Sequence, residues 1–254
     1  MSNQYELEGQ NPQGQGTTIG TGFVMGRPVS TMPGKGRLVL ITAAHVFNEM
    51  AGDNAILHLR RKLGENNWVH APIPVPIRAN GRPLWTKHPD ADVAVIYISL
   101  PSDISLPILS TDVLVDDGTL SRYEIHPGDE LECLGYPFGS ASNEAGFPIL
   151  RSGKIASYPL LPTAVTKTFL FDFRVFKGNS GGPVYFVQTN RIYGNVFRVG
   201  ETIGFVAGLV SEEKYFSQVT LGPYEQEARQ VQLGLGVVIH ASLIKQAIEM
   251  LPSP

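Results

Sequence analysis

The sequence predicts an all-β protein with a C-terminal α-helix, and three observations favour this fold class. Many short apolar runs of strand length follow one another along the 254 residues. The 27 glycines and 19 prolines supply the turns that would join such strands. Helical periodicity is scarce outside residues 241–251. Short strands of this kind typically form a β-barrel.

The first half of the chain divides into an arm, a set of strands and a connection. Residues 1–16 are polar and rich in Gln, Gly and Asn, which predicts a flexible N-terminal arm. Residues 101–115 are expected to link the two halves of the molecule. The predicted strands between them are 18–25, 37–42, 55–60, 68–77 and 93–98. We therefore expect an N-terminal β-barrel over residues 17–115.

The second half repeats this organisation and ends in a helix. Its predicted strands are 130–135, 151–157, 169–176, 183–187, 202–210 and 235–240. Residues 116–240 are therefore assigned to a C-terminal β-barrel. Apolar residues then recur at helical spacing, namely Leu243, Ile244, Ala247, Ile248 and Leu251. Residues 241–254 are accordingly expected to form a C-terminal helix and tail.

Composition and charge exclude several classes of function. A net charge of −3 gives no reason to expect binding to nucleic acid or to an anionic membrane. The N-terminus has neither the basic nor the apolar region of a secretory signal, and no apolar run approaches the roughly 18–20 residues of a membrane span. Cys133 is the only cysteine, so no intrachain disulfide forms and a reducing compartment is favoured. These features predict a soluble, cytoplasmic protein in which Cys133 acts as a small buried hydrophobe.

The segment from Gly178 to Pro183 contains the strongest candidate for catalysis. Its sequence is Gly-Asn-Ser-Gly-Gly-Pro, which places Ser180 between glycines. Glycine permits the tight backbone that aims successive N–H groups at one point, and it leaves a substrate carbonyl unobstructed. A serine nucleophile also needs a base, so a turn serine remains the alternative until a base is found.

A base and its partner precede Ser180 in the chain. His45 follows an apolar strand and the small residues Thr42-Ala43-Ala44, while Asp92 directly precedes the run Val93-Ala94-Val95. The order His, Asp, Ser is one of three in which the hydrolytic triad occurs. Asp90 competes with Asp92, but it follows a proline and is typical of a turn. No two histidines have metal-site spacing such as H-E-x-x-H, so we expect neither a metal nor a cofactor.

In its ordered motifs the chain resembles the chymotrypsin-fold (trypsin-like) serine peptidases, and within them the disulfide-free HtrA-like and bacterial trypsin-like branch. Loops 64–83 and 188–201 depart from the pattern, and no PDZ-like domain follows the barrels. The matching segments reach from about residue 17 to 251: they are 20–24, 41–45, 92–95, 134–139, 151–155, 178–183, 203–210 and 236–239.

The resemblance implies two six-stranded antiparallel β-barrels packed face to face, with the triad formed across the cleft between them. It implies a serine endopeptidase that cuts extended or unfolded polypeptide through an acyl-enzyme. His45 would be the general base, Asp92 would fix its tautomer, and the N–H groups of Gly178 and Ser180 would form the oxyanion hole. A regulatory protein partner is also compatible, since HtrA-like relatives let a partner or substrate set the oxyanion loop.

The substrate pocket is less defined by the sequence. In the family an extended substrate pairs with the strand that here resembles residues 208–213, so Ser211 and Glu212 are expected to bind substrate. Arg174 lies six positions before Ser180, where trypsin-like members have aspartate. Arg174 at the pocket floor would favour an acidic substrate residue, whereas Glu212 and Glu213 at its wall would favour a basic one. The sequence leaves both possibilities open.

Two further expectations concern activation and competing functions. Secreted zymogens of the family have aspartate immediately before the nucleophile, but this chain has Asn179. Asn179 carries no charge to pair with a buried N-terminal amine, so the uncut chain is expected to need no proteolytic maturation. The main alternative to an enzyme is a protease-like binding or signalling module with latent or no activity. A serine esterase is disfavoured because no nucleophile elbow between a strand and a helix is predicted.

Overall fold

The computed structural model describes residues 3–13, 16–29, 32, 35–221 and 226–254, leaving aside the side chains of residues 216–221 and 226–230. Within this part of the chain the structure is dominated by strands, and the predicted all-β fold class with a C-terminal helix is confirmed. The N-terminal half contains a short helix α1 (Ala44–Asn48) and ten strands. These strands are β1 (Gln4–Gln10), β2 (Thr17–Pro28), β3 (Gly36–Thr42), β4 (Asn54–Lys62), β5 (Trp68–Pro76), β6 (Arg78–Ala79), β7 (Arg82–Pro83), β8 (Thr86–Lys87), β9 (Ala94–Ile98) and β10 (Leu109–Ser110).

Eight of these strands form the N-terminal sheet, in the order β5-β4-β1-β2-β3-β9-β8, with β10 pairing in parallel with β2. Among the described residues the hydrogen-bonded path of this sheet is open, and it holds two strands more than the six expected. Strand β1, between β4 and β2, and the two-residue strands β8 and β10 are not among the strands that the sequence predicts. Strands β6 and β7 form a separate two-stranded ladder.

The N-terminal segment is a strand, so the prediction of a flexible arm over residues 1–16 is wrong for Gln4–Gln10. Strand β1 pairs with β2 on one side and with β4 on the other. The side chains of Tyr5 and Leu7 are fully buried. The physical reason is their period of two, which turns both toward the core although the surrounding residues are polar.

The C-terminal half is a closed six-stranded barrel in the order β11-β12-β13-β16-β15-β14. It also contains helices α2 (Asp117–Arg122) and α3 (Ala241–Glu249). Helix α3 buries four of the apolar residues that predict it, and the fifth, Leu251, is buried just after the helix ends. The strands are β11 (Glu130–Gly135), β12 (Ile149–Ile155), β13 (Thr168–Asp172), β14 (Pro183–Tyr193), β15 (Val196–Leu221) and β16 (Gln226–His240).

Strands β15 and β16 are much longer than the sequence predicts. They were expected over 202–210 and 235–240, but they continue as a paired hairpin to Leu221 and from Gln226. The ladder has irregularities between Val210 and Glu212 and between Glu213 and Tyr215. The many polar residues of this segment mask its strand character in the sequence.

Several contacts join the two halves, and Thr21 of β2 makes two of them. The Thr21 N–H donates to the carbonyl of Ser180 (2.8 Å), and the Thr21 hydroxyl donates to the carbonyl of Gly178 (2.6 Å). Leu114 forms a parallel bridge with Val206 of β15. These contacts place the loop before β14 against the N-terminal sheet, where the predicted site residues meet.

Candidate functional site

A cleft of about 740 Å³ brings together the three predicted triad residues and part of the predicted substrate strand. His45 and Asp92 approach it from the N-terminal half, and Ser180 approaches it from the C-terminal half. Ser211 and Glu212 also line it. The cleft is therefore built by side chains that are distant in sequence and come from both halves of the fold.

His45 is held in place by the carboxylate of Asp92 through two separate contacts. Helix α1 begins directly after β3, and the His45 backbone N–H donates to Asp92 Oδ1 at 2.8 Å. The His45 ring nitrogen Nδ1 lies 2.6 Å from Asp92 Oδ2. A carboxylate accepts only, so Nδ1 carries the proton of this bond and Nε2 is left as the basic nitrogen.

Asp92 rather than Asp90 is the aspartate beside His45. Asp90 lies in the turn before it, where its exposed carboxylate is 3.2 Å from Lys167 Nζ. Asp92 receives a further hydrogen bond at 2.8 Å from the hydroxyl of Ser211. The sequence does not predict this hydrogen bond, because it joins residues 119 positions apart and neither residue has a local motif that indicates it.

The electrostatics of the pair favour the charged form of both groups. Burial by itself lowers the pKa of His45, but the hydrogen bond and charge of Asp92, aided by Glu49 and Glu212, outweigh it and raise the pKa. Burial likewise acts to raise the pKa of Asp92. The hydrogen bonds and charge of His45, together with the Ser211 hydroxyl, bring the pKa of Asp92 below its ordinary value. The surroundings of His45 thus stabilise its protonated form, the imidazolium that arises when a histidine acts as a base.

Ser180 lines the same cleft, with its hydroxyl turned toward β15. Its Oγ donates to the carbonyl of Ser211 at 2.9 Å. Over the described ranges of the chain, no hydrogen bond joins the Ser180 hydroxyl to the His45 ring. The Ser180 hydroxyl can rotate about a single side-chain bond, and catalytic hydrogen bonds are often long or poorly aligned without substrate.

Two unengaged N–H groups lie in the loop that carries Ser180. The N–H groups of Asn179, Gly181 and Gly182 donate to the carbonyls of Phe176, Val210 and Asn179 respectively. Within the described residues, the N–H groups of Gly178 and Ser180 donate to none. They are the two donors that the resemblance to serine peptidases implies for an oxyanion hole.

A hydrogen bond to the preceding carbonyl fixes the orientation of the Gly178 N–H in this loop. The carbonyl of Lys177 accepts a hydrogen bond of 2.6 Å from the N–H of Phe138. In a trans peptide the C=O and the following N–H point in opposite directions, so the Gly178 N–H points away from Phe138. Gly178 has a φ of 96°, and a Cβ there would lie 2.1 Å from the carbonyl oxygen of Tyr136. Only glycine fits at this position.

Asn179 fixes the loop from inside. Its side chain is buried, with the residue 1% exposed, and its Oδ1 accepts from the N–H of Phe176 at 2.9 Å. Its own N–H donates back to the carbonyl of Phe176. A neutral side chain therefore occupies the place of the zymogen aspartate and closes a local ring of hydrogen bonds.

The predicted substrate-binding residues divide between the cleft and the surface. Glu212 lines the cleft, and so does the neighbouring Glu213, which is 6% exposed. Arg174 is exposed and is not itself a lining residue, but its guanidinium donates at 2.5 Å to Oε1 of Gln232, which lines the cleft. Both glutamates that the sequence places at the pocket wall thus line the cleft, whereas Arg174 reaches it only through Gln232.

Other titratable groups lie apart from this cleft. His58 and His70 stack on each other at a centroid distance of 4.9 Å, and His240 is buried against Phe169. Burial raises the pKa of the Cys133 thiol to about 12, as suits a buried apolar environment. Over the ranges described, no three His, Cys, Asp or Glu side chains are grouped to hold a metal ion. In the same ranges no helix combines the length and apolarity of a membrane span.

The family model described as a trypsin-like peptidase domain matches residues 20–194. Among solved structures, the active form of Rv3671c protease from M. tuberculosis is similar with a TM-score of 0.48 and 18% sequence identity. That similarity covers 99% of this chain and 82% of the protease chain. No curated protein matches the sequence.

Proposed function

This chain belongs to the trypsin-like peptidase family, and we propose that it is a serine endopeptidase with Ser180 as nucleophile, His45 as general base and Asp92 as the residue that orients His45. The substrate would be a polypeptide in extended form. The observation that carries the proposal is the 2.6 Å contact of His45 Nδ1 with Asp92, in the same cleft as Ser180 and its loop.

The reaction would begin when Ser180 Oγ attacks a peptide carbonyl carbon as His45 Nε2 takes the hydroxyl proton. The oxyanion would accept hydrogen bonds from the N–H groups of Gly178 and Ser180, which have no other acceptor among the described residues. His45 would then give its proton to the departing amine, leaving an acyl group on Ser180. Water, deprotonated by His45, would cleave this ester and restore the serine.

A second candidate is a binding module with latent activity. It is favoured by one observation, the hydrogen bond of the Ser180 hydroxyl to the Ser211 carbonyl instead of the His45 ring. In such a protein a partner would have to turn the hydroxyl toward the base. The two candidates differ in whether the protein cleaves polypeptide without any addition.

Hydrolysis of an unfolded polypeptide such as reduced, alkylated casein separates these candidates. We expect the wild type to cleave it and Ser180→Ala to lose on the order of 10⁴–10⁶ in rate. Ser121→Ala, which alters an exposed serine of α2, is the matched control and should retain full activity. A wild type that is inert, while folded by circular dichroism, would support the latent binding module.

A further inference from the structure

Thr21 is a threonine of β2 whose side-chain hydroxyl makes two hydrogen bonds to the C-terminal half. The residue is fully buried. Its Oγ1 donates to the carbonyl of Gly178 at 2.6 Å and accepts from the backbone N–H of Tyr136 at 3.2 Å. A hydroxyl carries one proton, so the bond from Tyr136 leaves that proton for the Gly178 carbonyl. One hydroxyl thus connects the loop that carries Ser180 with the segment that begins at Tyr136.

The two peptide groups that flank Gly178 are each held by one hydrogen bond. In the peptide group before Gly178, the Lys177 carbonyl accepts from the N–H of Phe138 at 2.6 Å. In the peptide group after it, the Gly178 carbonyl accepts from the hydroxyl of Thr21. Glycine has the widest choice of backbone angles, and Gly178 has a φ of 96°. The two hydrogen bonds therefore fix a residue whose own side chain cannot.

Thr21 supports both of these hydrogen bonds. It holds the Gly178 carbonyl directly, and it holds Tyr136, which lies two residues before the donor Phe138. Phe138 has a φ of 53°, a left-handed conformation that a residue other than glycine keeps only when its surroundings hold it. The hydroxyl of Thr21 thus acts at both ends of the contact between residues 136–138 and the loop of Ser180.

The backbone of Thr21 is itself held in place. Its N–H donates to the carbonyl of Ser180 at 2.8 Å, and its carbonyl accepts from the hydroxyl of the buried Thr42 at 2.7 Å. Thr21 lies on β2 and Thr42 lies at the end of β3, and these two strands are paired. Groups carried by strands are positioned more precisely than groups carried by loops. The hydroxyl of Thr21 is therefore a rigid reference point for the loop.

We propose that Thr21 is a positioning residue for the oxyanion hole. Its hydroxyl holds the peptide groups around Gly178 so that the N–H groups of Gly178 and Ser180 are oriented before a substrate binds. Thr21 is not among the residues that line the cleft, so it acts through Gly178 and not by touching substrate. This inference rests on the proposed peptidase function, and it makes the oxyanion donors of one half depend on a side chain of the other.

Steady-state kinetics of variants at position 21 test the role of the hydroxyl. An oxyanion hole acts in the transition state, so Thr21→Ala should lower kcat by about 10- to 100-fold and leave KM within a few-fold. Thr21→Val fills the same space without the hydroxyl and should show the same loss. Thr21→Ser keeps the hydroxyl and should retain a kcat within a few-fold of the wild type.

Thr163→Ala is the matched control for the loss of a buried hydroxyl. The hydroxyl of Thr163 also donates one hydrogen bond, to Asp117, and accepts one, from Ser242, and none of these residues lines the cleft. Its loss should lower stability and leave kcat unchanged. Circular dichroism checks the fold of each variant. Equal kcat in Thr21→Ala and Thr163→Ala would overturn the proposal.

A spectroscopic measurement keeps the role of Thr21 separate from the chemistry. Lysine precedes glycine only at Lys35-Gly36 and Lys177-Gly178, so labelling the lysine carbonyl carbon and the glycine nitrogen selects these two amides in an NMR spectrum. Thr21→Ala should shift or broaden the Gly178 signal, Thr21→Ser should restore it, and the Gly36 signal should stay in place. This response in a wild type that cleaves nothing would contradict the peptidase function alone. An unchanged Gly178 signal in Thr21→Ala of an active enzyme would contradict the role of Thr21 alone.

Discussion

Asp92 accepts hydrogen bonds from three donors, namely the backbone N–H of His45, the ring Nδ1 of His45 and the hydroxyl of Ser211. Together they hold the carboxylate in one orientation and keep its pKa low. Asp92 would act on His45 in two ways. It would fix the tautomer of the ring, and it would stabilise the protonated form. At the residue scale, the site therefore depends on Asp92 as much as on the groups that would react.

Replacing Asp92 by asparagine is expected to preserve the fold and to lower kcat by about 10⁴-fold. The amide can accept the His45 backbone N–H, but it can present a donor to Nδ1 and so favour the wrong tautomer. Asp90→Asn is the matched control, and its exposed position predicts near-normal kcat. The measurement is kcat on one peptide substrate, with circular dichroism for the fold. Damage from Asp90→Asn and none from Asp92→Asn would mean that the wrong aspartate is assigned.

The raised pKa of His45 predicts the pH dependence of the reaction. A general base must be neutral to take a proton, so kcat/KM should rise with pH through an apparent pKa above the ordinary value of about 6.5. Glu212→Gln removes one of the charges that raise this pKa, and it should shift the profile to lower pH. Glu130→Gln should leave the profile in place. A profile that does not move in Glu212→Gln would show that its charge does not reach His45.

At the scale of elements, the sequence indicates the loop of residues 177–182 but does not indicate strand β1. His45, Asp92 and Ser180 could be found because each has a local frame of small or β-branched residues, and because their order along the chain is itself informative. The contact of Ser211 with Asp92 could not be predicted from the sequence, because it depends on how β15 passes the N-terminal half. The sequence does not predict strand β1, because its polar composition outweighs the alternation of Tyr5 and Leu7.

Asn179 and β1 together predict that the uncut chain beginning at Met1 is active. The loop is closed by neutral hydrogen bonds of Asn179 with Phe176, so no liberated amine is needed to shape it. Trimming into residues 4–10 should lower activity and stability, because it removes a strand that pairs on both sides. The assay compares intact protein, confirmed by mass, with protein trimmed within residues 1–17. Activity that appears only after trimming would contradict this expectation.

At the scale of the whole molecule, the candidate site exists only where the two halves meet. The N-terminal half supplies His45 and Asp92, and the closed barrel supplies Ser180 and Ser211. Thr21 joins them, since its N–H and hydroxyl bind the carbonyls of Ser180 and Gly178. The presence of His45, Asp92 and Ser180 in one cleft thus follows from the contacts between the two halves.

The most direct measurement is to react the native protein with a fluorophosphonate and to locate the adduct by peptide mass spectrometry. The proposed mechanism predicts one adduct on Ser180, absent from Ser180→Ala and strongly slowed in His45→Ala, because only an activated serine attacks the phosphorus. Unfolded protein should not react, since the base and nucleophile are then apart. No adduct on folded wild type, or an adduct on a different serine, would contradict the assignment of Ser180 as the nucleophile.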